Sequence, residues 1–240
     1  MTMRVAALLT AGLWFAGCGG KAPAADLGQR LFDDRTLSTS PYNVFSCGTC
    51  HAVGTSPPVL STQGPHPGPI HPGYDLHDSV YRPGWWGGYE TRLLDAMNYC
   101  LTGFMGGGAL AEDDPKAREL YEYLAAHSPD NPSPALPLTI VKNVTALSDL
   151  AGDAKSGEDV YRRACLTCHG APHTGAGKLG PKVSTIPEDT LAVFPTSARG
   201  VVVEKVRHGK FFNVGGLMPL YSEETLSDQE LADVLAYLGL

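Results

Sequence analysis

The residues best suited to chemistry in this chain occur in two copies of one pattern, Cys47-Gly-Thr-Cys50-His51 and Cys165-Leu-Thr-Cys168-His169. Two cysteines with two residues between them can each form a thioether to one vinyl group of a single haem. The histidine that follows then reaches the iron from the same side, which makes this the pattern of covalent c-type haem attachment. Zinc sites built from paired cysteines have closer pairs than Cys47 and Cys165, which stand 118 residues apart. A thioredoxin-like dithiol needs a strand–helix–strand setting, and no convincing strand pattern appears beyond short runs such as Leu138 to Val141. The expected cofactors are two covalently bound haem c groups, attached at Cys47, Cys50, Cys165 and Cys168. His51 and His169 are the expected iron ligands.

The elements that must position these motifs form a divergent repeat. Gly28-Gln-Arg-Leu-Phe32 leads to the first motif and Gly157-Glu-Asp-Val-Tyr161 to the second, each a short helix with an aromatic at its fifth position. From aromatic to first cysteine is 15 residues in the first copy and 4 in the second, so the first carries an insertion from Asp33 onward. Each copy closes with an amphipathic helix. In the first, Asp114 caps it, Pro115 takes the first helical position, and Ala117, Leu120, Tyr121 and Leu124 form the apolar stripe. In the second, Ser227 and Glu230 form a capping box ahead of Leu231, Val234, Leu235 and Leu238. Ser128 to Pro137 is a stiff, proline-rich linker. The expected architecture is all-α: a first cytochrome c-like domain over 18–127, a linker over 128–151 and a second domain over 152–240.

Composition agrees with a folded, loop-rich protein. Hydrophobic residues make up 43% and charged residues 18%, with 28 glycines and 19 prolines. The formal net charge of −7 argues against nucleic acid as a partner and suits docking to proteins with basic patches. Arg4 followed by the apolar run Val5 to Gly17 reads as an export signal over residues 1–17, too short to span a bilayer as a helix. Phe15-Ala16-Gly17-Cys18 resembles a bacterial lipobox, which implies lipid on Cys18 and a membrane tether on the periplasmic side of the cell envelope.

The second copy resembles class I cytochromes c over about residues 152–240, through Gly157 to Tyr161, the haem motif, Gly215-Gly-Leu-Met218-Pro219 and the final helix. The resemblance implies Met218 as the sixth iron ligand, a choice that raises the iron potential and suits electron relay. Val201 to His208 is then the intervening helix, with His208 a structural or surface residue rather than a ligand.

The first copy offers both Cys100 and Met105 as sixth ligand. Cys100 lies 49 residues beyond His51, as Met218 does beyond His169, whereas Met105 stands 18 residues before Tyr123, close to the 19 between Met218 and Tyr237. Leu93, Met97, Cys100 and Leu101 also share one face of an expected helix, where a free cysteine packs as a small hydrophobe. Asn98-Tyr-Cys100-Leu-Thr-Gly-Phe-Met105-Gly106 resembles the thiosulfate-oxidising cytochromes, that is, the di-haem thiosulfate dehydrogenases and Sox-type haem subunits. That resemblance implies Cys100 as ligand of a catalytic haem and Arg92 as a holder of thiosulfate or another small sulfur anion. The chain departs from that family in its Gly64 to Gly73 loop and its Trp85-Trp86 pair, and no cluster of arginines is clear. A third resemblance, from Leu27 to the first motif, is to bacterial di-haem cytochrome c peroxidases and spans only about 25 residues.

The leading expectation is an electron carrier between redox partner proteins; the alternative is an enzyme with sulfur chemistry at the first haem. His66, His71 and His77 in or near the proline-rich loop are weak metal candidates. Trp85, Trp86 and Tyr89 read as packing or lid residues.

Overall fold

A computed structural model describes residues 23–64, 68–129, 132–210 and 216–240. The expected signal segment, Cys18, His66 and Gly215 lie outside the described residues. Among those described, every regular element is helical, and the one β-bridge pairs Trp85 with Glu90 in isolation. The protein is all-α, as its patterning indicates.

The elements run α1 (Pro23–Asp33), α2 (Cys47–Cys50), α3 (Leu93–Tyr99), α4 (Pro115–Ala125), α5 (Thr145–Ser148), α6 (Ala154–Ala164), α7 (Leu166–His169), α8 (Glu188–Val193), α9 (Ala198–His208) and α10 (Asp228–Tyr237). Helix α3 passes directly into a π-helical turn, Cys100–Phe104. The helix starts follow side-chain chemistry. Asp114 accepts the Lys116 N–H at 2.8 Å ahead of α4, with Pro115 at the position that needs no donor. At α10 the Ser227 N–H donates to Glu230 Oε2 at 2.8 Å while the Glu230 N–H donates to Ser227 Oγ at 3.2 Å.

Two helix pairs carry the fold. Helix α1 crosses α4, and α6 crosses α10, with Gly28 and Gly157 at the points of closest approach. Around the first pair Phe32, Leu101, Leu120 and Leu124 are buried; around the second, Tyr161, Val203, Leu231 and Leu235. The expected stripe of α4 needs one correction. Tyr121 is 45% exposed, and Tyr123 is buried in its place, its ring 5.4 Å from that of Phe32. Tyr121 and Tyr123 are two residues apart and so point to different sides of the helix.

The halves interlock. Ile70, from the proline-rich loop, is 3% exposed inside the second cluster, and its N–H donates to the Arg163 carbonyl at 3.0 Å. Within the stretch expected as linker, Val144 and Leu147 are buried in the second cluster, where α5 packs on α9. The Thr139 hydroxyl donates to the Glu224 carboxylate at 2.6 Å, and the Ser61 N–H to the Glu224 carbonyl at 2.7 Å. Three segments thus meet at one buried glutamate.

Burial pushes the Glu224 carboxyl up, but hydrogen bonds led by those from Thr139 outweigh it and hold the group below its ordinary value. A carboxyl with a depressed folded pKa contributes stability that is present above the unfolded value and is lost as pH falls through the folded one. The denaturation midpoint should therefore fall on acidification below the carboxylate range more steeply in the native protein than in Glu224→Gln. Parallel pH profiles would remove Glu224 from the acid response.

Candidate haem centres

Helix α2 is a single turn whose purpose is to present Cys47 and Cys50. The Ser46 N–H donates to the Thr49 hydroxyl at 3.0 Å at its start, and the His51 N–H closes it on the Cys47 carbonyl at 2.9 Å. His51 Nδ1 lies 2.8 Å from the Tyr74 carbonyl. A carbonyl only accepts, so Nδ1 carries the proton and Nε2 keeps its lone pair for a metal. Burial lowers the imidazole pKa, opposed by the Tyr74 hydrogen bond, and favours the neutral ligand form. Gly73 packs face-on against this ring: a Cβ at that position would meet His51 Cε1 at 2.2 Å.

The second centre repeats the device. The His169 N–H closes α7 on the Cys165 carbonyl at 2.9 Å, and His169 Nδ1 lies 2.9 Å from the Ser184 carbonyl. Burial again lowers the imidazole pKa. In both motifs the same nitrogen is engaged by a backbone carbonyl, which leaves the same nitrogen free.

His51, Cys47 and Cys50 line a cavity, partly open to solvent, whose walls also include Phe45, Leu76, Trp86, Leu101 and Leu124. Its lining is overwhelmingly apolar, which suits a large flat macrocycle. Arg82 and Trp85 are among the donors that interrupt it. Arg82 is buried in the lining and donates to the Asp75 carbonyl at 3.1 Å and the His77 carbonyl at 2.5 Å. Trp85 Nε1–H is buried in the same lining without a hydrogen-bond partner among the described residues. A buried donor requires an acceptor, and haem brings two carboxylates. No disulfide joins the five described cysteines. Burial pushes Cys47 up to about 11 and Cys165 up to about 12, and raises Cys50 and Cys168 as well. They are neutral thiols in apolar surroundings rather than preformed thiolates. Among the described residues no cluster of three or more His, Cys, Asp or Glu is arranged for a metal ion. The residues present fit haem c.

Trp85→Phe keeps the ring and deletes the donor. The haem-loaded variant should lose about 1.5–3 kcal/mol of stability, the range for a hydrogen bond to a charged group. Denaturant unfolding followed at the Soret band measures it; an unchanged midpoint would mean that the indole N–H meets nothing charged.

Both sequence candidates for the sixth ligand of the first centre lie in this cavity lining. They are the two ends of the π-helical turn: the Met105 N–H donates to the Cys100 carbonyl at 3.1 Å. Burial pushes the Cys100 thiol up to about 12, with Cys47 adding to the effect. Met105 is buried in the first cluster, its carbonyl accepting from Ser38 Oγ at 2.8 Å. At the second centre Met218 packs with Cys165 against the second cluster.

Arg92 stands elsewhere. It is 54% exposed at the start of α3, paired with Glu112 at 3.1 Å and Asp95 at 3.8 Å, and is outside the cavity lining. His208 is buried and not on the surface, with Nε2 2.5 Å from the Val141 carbonyl and Nδ1 2.5 Å from Glu204. His77 is buried against Asp78 at 3.2 Å. Trp86 stacks on Phe104 with centroids 6.0 Å apart and leans on Tyr99 at 5.0 Å, whereas Tyr89 is 82% exposed. Sequence reading missed Tyr74, Ser184 and Arg82. The first two act through backbone carbonyls, which any residue supplies. Arg82 had a weak signal, a lone cation inside the aromatic-rich stretch Tyr81 to Trp86.

Residues 152–238 match the family model described as cytochrome c oxidase, cbb3-type, subunit III. Residues 152–238 are thus similar to a cytochrome c domain, which supports covalent haem c in the second half of the chain. No curated protein matches the sequence. Among solved structures, thiosulfate dehydrogenase from Marichromatium purpuratum in its as-isolated form is similar at 17% identity and a TM-score of 0.43. The match covers 93% of this chain and 48% of that one, so the chain spans about half the length of the structure it matches.

Proposed function

We propose that the chain is a di-haem c-type cytochrome that passes electrons between redox partners, with one haem in each half. The observation that carries this is the repeated histidine geometry, Nδ1 held at 2.8 Å by the Tyr74 carbonyl and at 2.9 Å by the Ser184 carbonyl. Haem c supplies a one-electron iron centre. The chain's own residues do the rest: Cys47, Cys50, Cys165 and Cys168 anchor it, and the two carbonyls hold the imidazoles in their ligand tautomer. Met218 completes the second centre, and apolar walls surround the first. The halves then correspond to cytochrome c-like domains over 18–127 and 152–240. Export and a lipid on Cys18 would set them on the periplasmic side of a membrane. An optical redox titration tests the reading. Two one-electron waves per chain are expected, and a single one-electron wave would refute it.

One observation favours a second reading, a thiosulfate-dehydrogenase-like enzyme with sulfur chemistry at the first centre. Cys100 opens a π-helical turn inside the first cavity, and such turns recur at functional sites. The cavity then takes a small sulfur anion beside Cys100, without help from Arg92. Ferricyanide reduction on adding thiosulfate identifies the enzyme; none at high protein concentration leaves the carrier.

A further inference from the structure

Resting on the two-haem reading, a further feature of the chain is that the two centres share walls. The cavity of the first is closed in part by Pro219 and Leu220, directly after Met218, which, like Cys165 of the second, packs against the second cluster. The next residue, Tyr221, is buried and tied down twice. Its N–H donates to the Val206 carbonyl at 2.8 Å, and its hydroxyl donates at 2.7 Å to the carbonyl of Ala164, the residue before Cys165. From the other direction, Leu179 donates its N–H to the Cys168 carbonyl at 2.9 Å while its side chain packs into the cluster of the first centre, where Val44 and Cys47 also pack. A Cβ on Gly180 would meet Val44 Cγ1 at 2.8 Å.

We infer that the two haem-attachment motifs meet at one packed junction, where Leu179, bonded to Cys168, enters the cluster that also holds Cys47, and that Tyr221 is the positioning residue that ties the neighbouring cavity wall, Leu220, to the start of the second motif. Electrons can therefore pass between the centres inside the chain.

Electron paramagnetic resonance on the haem-loaded protein tests this, with haem content measured on the same sample. Two ferric centres in contact relax each other, so the signals of the oxidised protein should saturate at higher microwave power than in Gly180→Leu, where the added side chain wedges Leu179 from Val44. Poising the protein so that one haem is reduced should make the remaining ferric signal saturate more easily. Tyr221→Phe, which keeps the ring and loses the Ala164 bond, should weaken the mutual relaxation with haem content unchanged. Two haems per chain with identical saturation in all these samples would overturn the junction. Mutual relaxation that survives both Tyr221→Phe and Tyr221→Leu would overturn the role of Tyr221. One haem per chain would instead overturn the two-haem reading beneath the proposal.

Discussion

Cys100→Ala should abolish the thiolate signature of the first haem in electron paramagnetic resonance and raise its potential, leaving the second haem untouched. The expectation rests on the ligand that the resemblance to thiosulfate-oxidising cytochromes implies and on position. Cys100 lines the cavity that contains His51, and its thiol, pushed up to about 12, is neutral until a metal takes its proton. A thiolate donates electron density to iron and lowers its potential; its removal reverses both effects. Met105 closes the same π-helical turn, so Met105→Leu is the matched partner. With Cys100 as ligand, Met105→Leu leaves the thiolate signal in place. An unchanged spectrum in Cys100→Ala together with a changed one in Met105→Leu would assign the ligand to Met105.

The second large effect is on folding. Gly157→Ala adds one methyl group, yet its Cβ would stand 1.9 Å from the Asp233 carbonyl oxygen and 2.4 Å from its carbon. Those atoms are backbone of α10, so no side chain can turn aside, and the α6–α10 pair must separate. Overpacking of this kind costs about 1–3 kcal/mol and occasionally more, against a total stability of roughly 5–15 kcal/mol. Gly28 meets Glu119 at 2.1 Å across α1 and α4 in the same way. Gly200 in α9 supplies the control: its Cβ would meet nothing closer than Ser148 Oγ at 3.8 Å. There the same substitution should stabilise by about 0.5–1 kcal/mol, the helical advantage of alanine over glycine. Denaturant unfolding of the two variants should shift in opposite directions; equal shifts would mean that the helix crossing tolerates the methyl group.

What the sequence made legible was local. The two Cys-x-x-Cys-His motifs, the Asp114 and Ser227 caps and the leucines of α10 each lie within a few residues of the partner that explains them. The glycines preceding Phe32 and Tyr161 were visible as a repeat, but not as the contact points of helix pairs. The exposure of Tyr121 escaped because a helical stripe is broad enough to admit either tyrosine of α4, and contact with Phe32 decides for Tyr123. The π-helical turn has no residue signature, since its defining bond joins two backbone groups. Arg92 matched a family pattern by its distance from Cys100, whereas Glu112, twenty residues later, determines where its charge goes. The junction between the halves depends on Ile70, Leu179 and Tyr221, whose partners lie far away in the chain, and loop closure over such distances leaves no periodic trace.

The central claim is one haem at each motif. A pyridine haemochrome assay against quantitative amino-acid analysis measures it directly. The account predicts two haems per chain in the native protein and one in Cys165→Ser/Cys168→Ser, with the remaining haem held at Cys47 and Cys50. A native protein with a single haem per chain would contradict it.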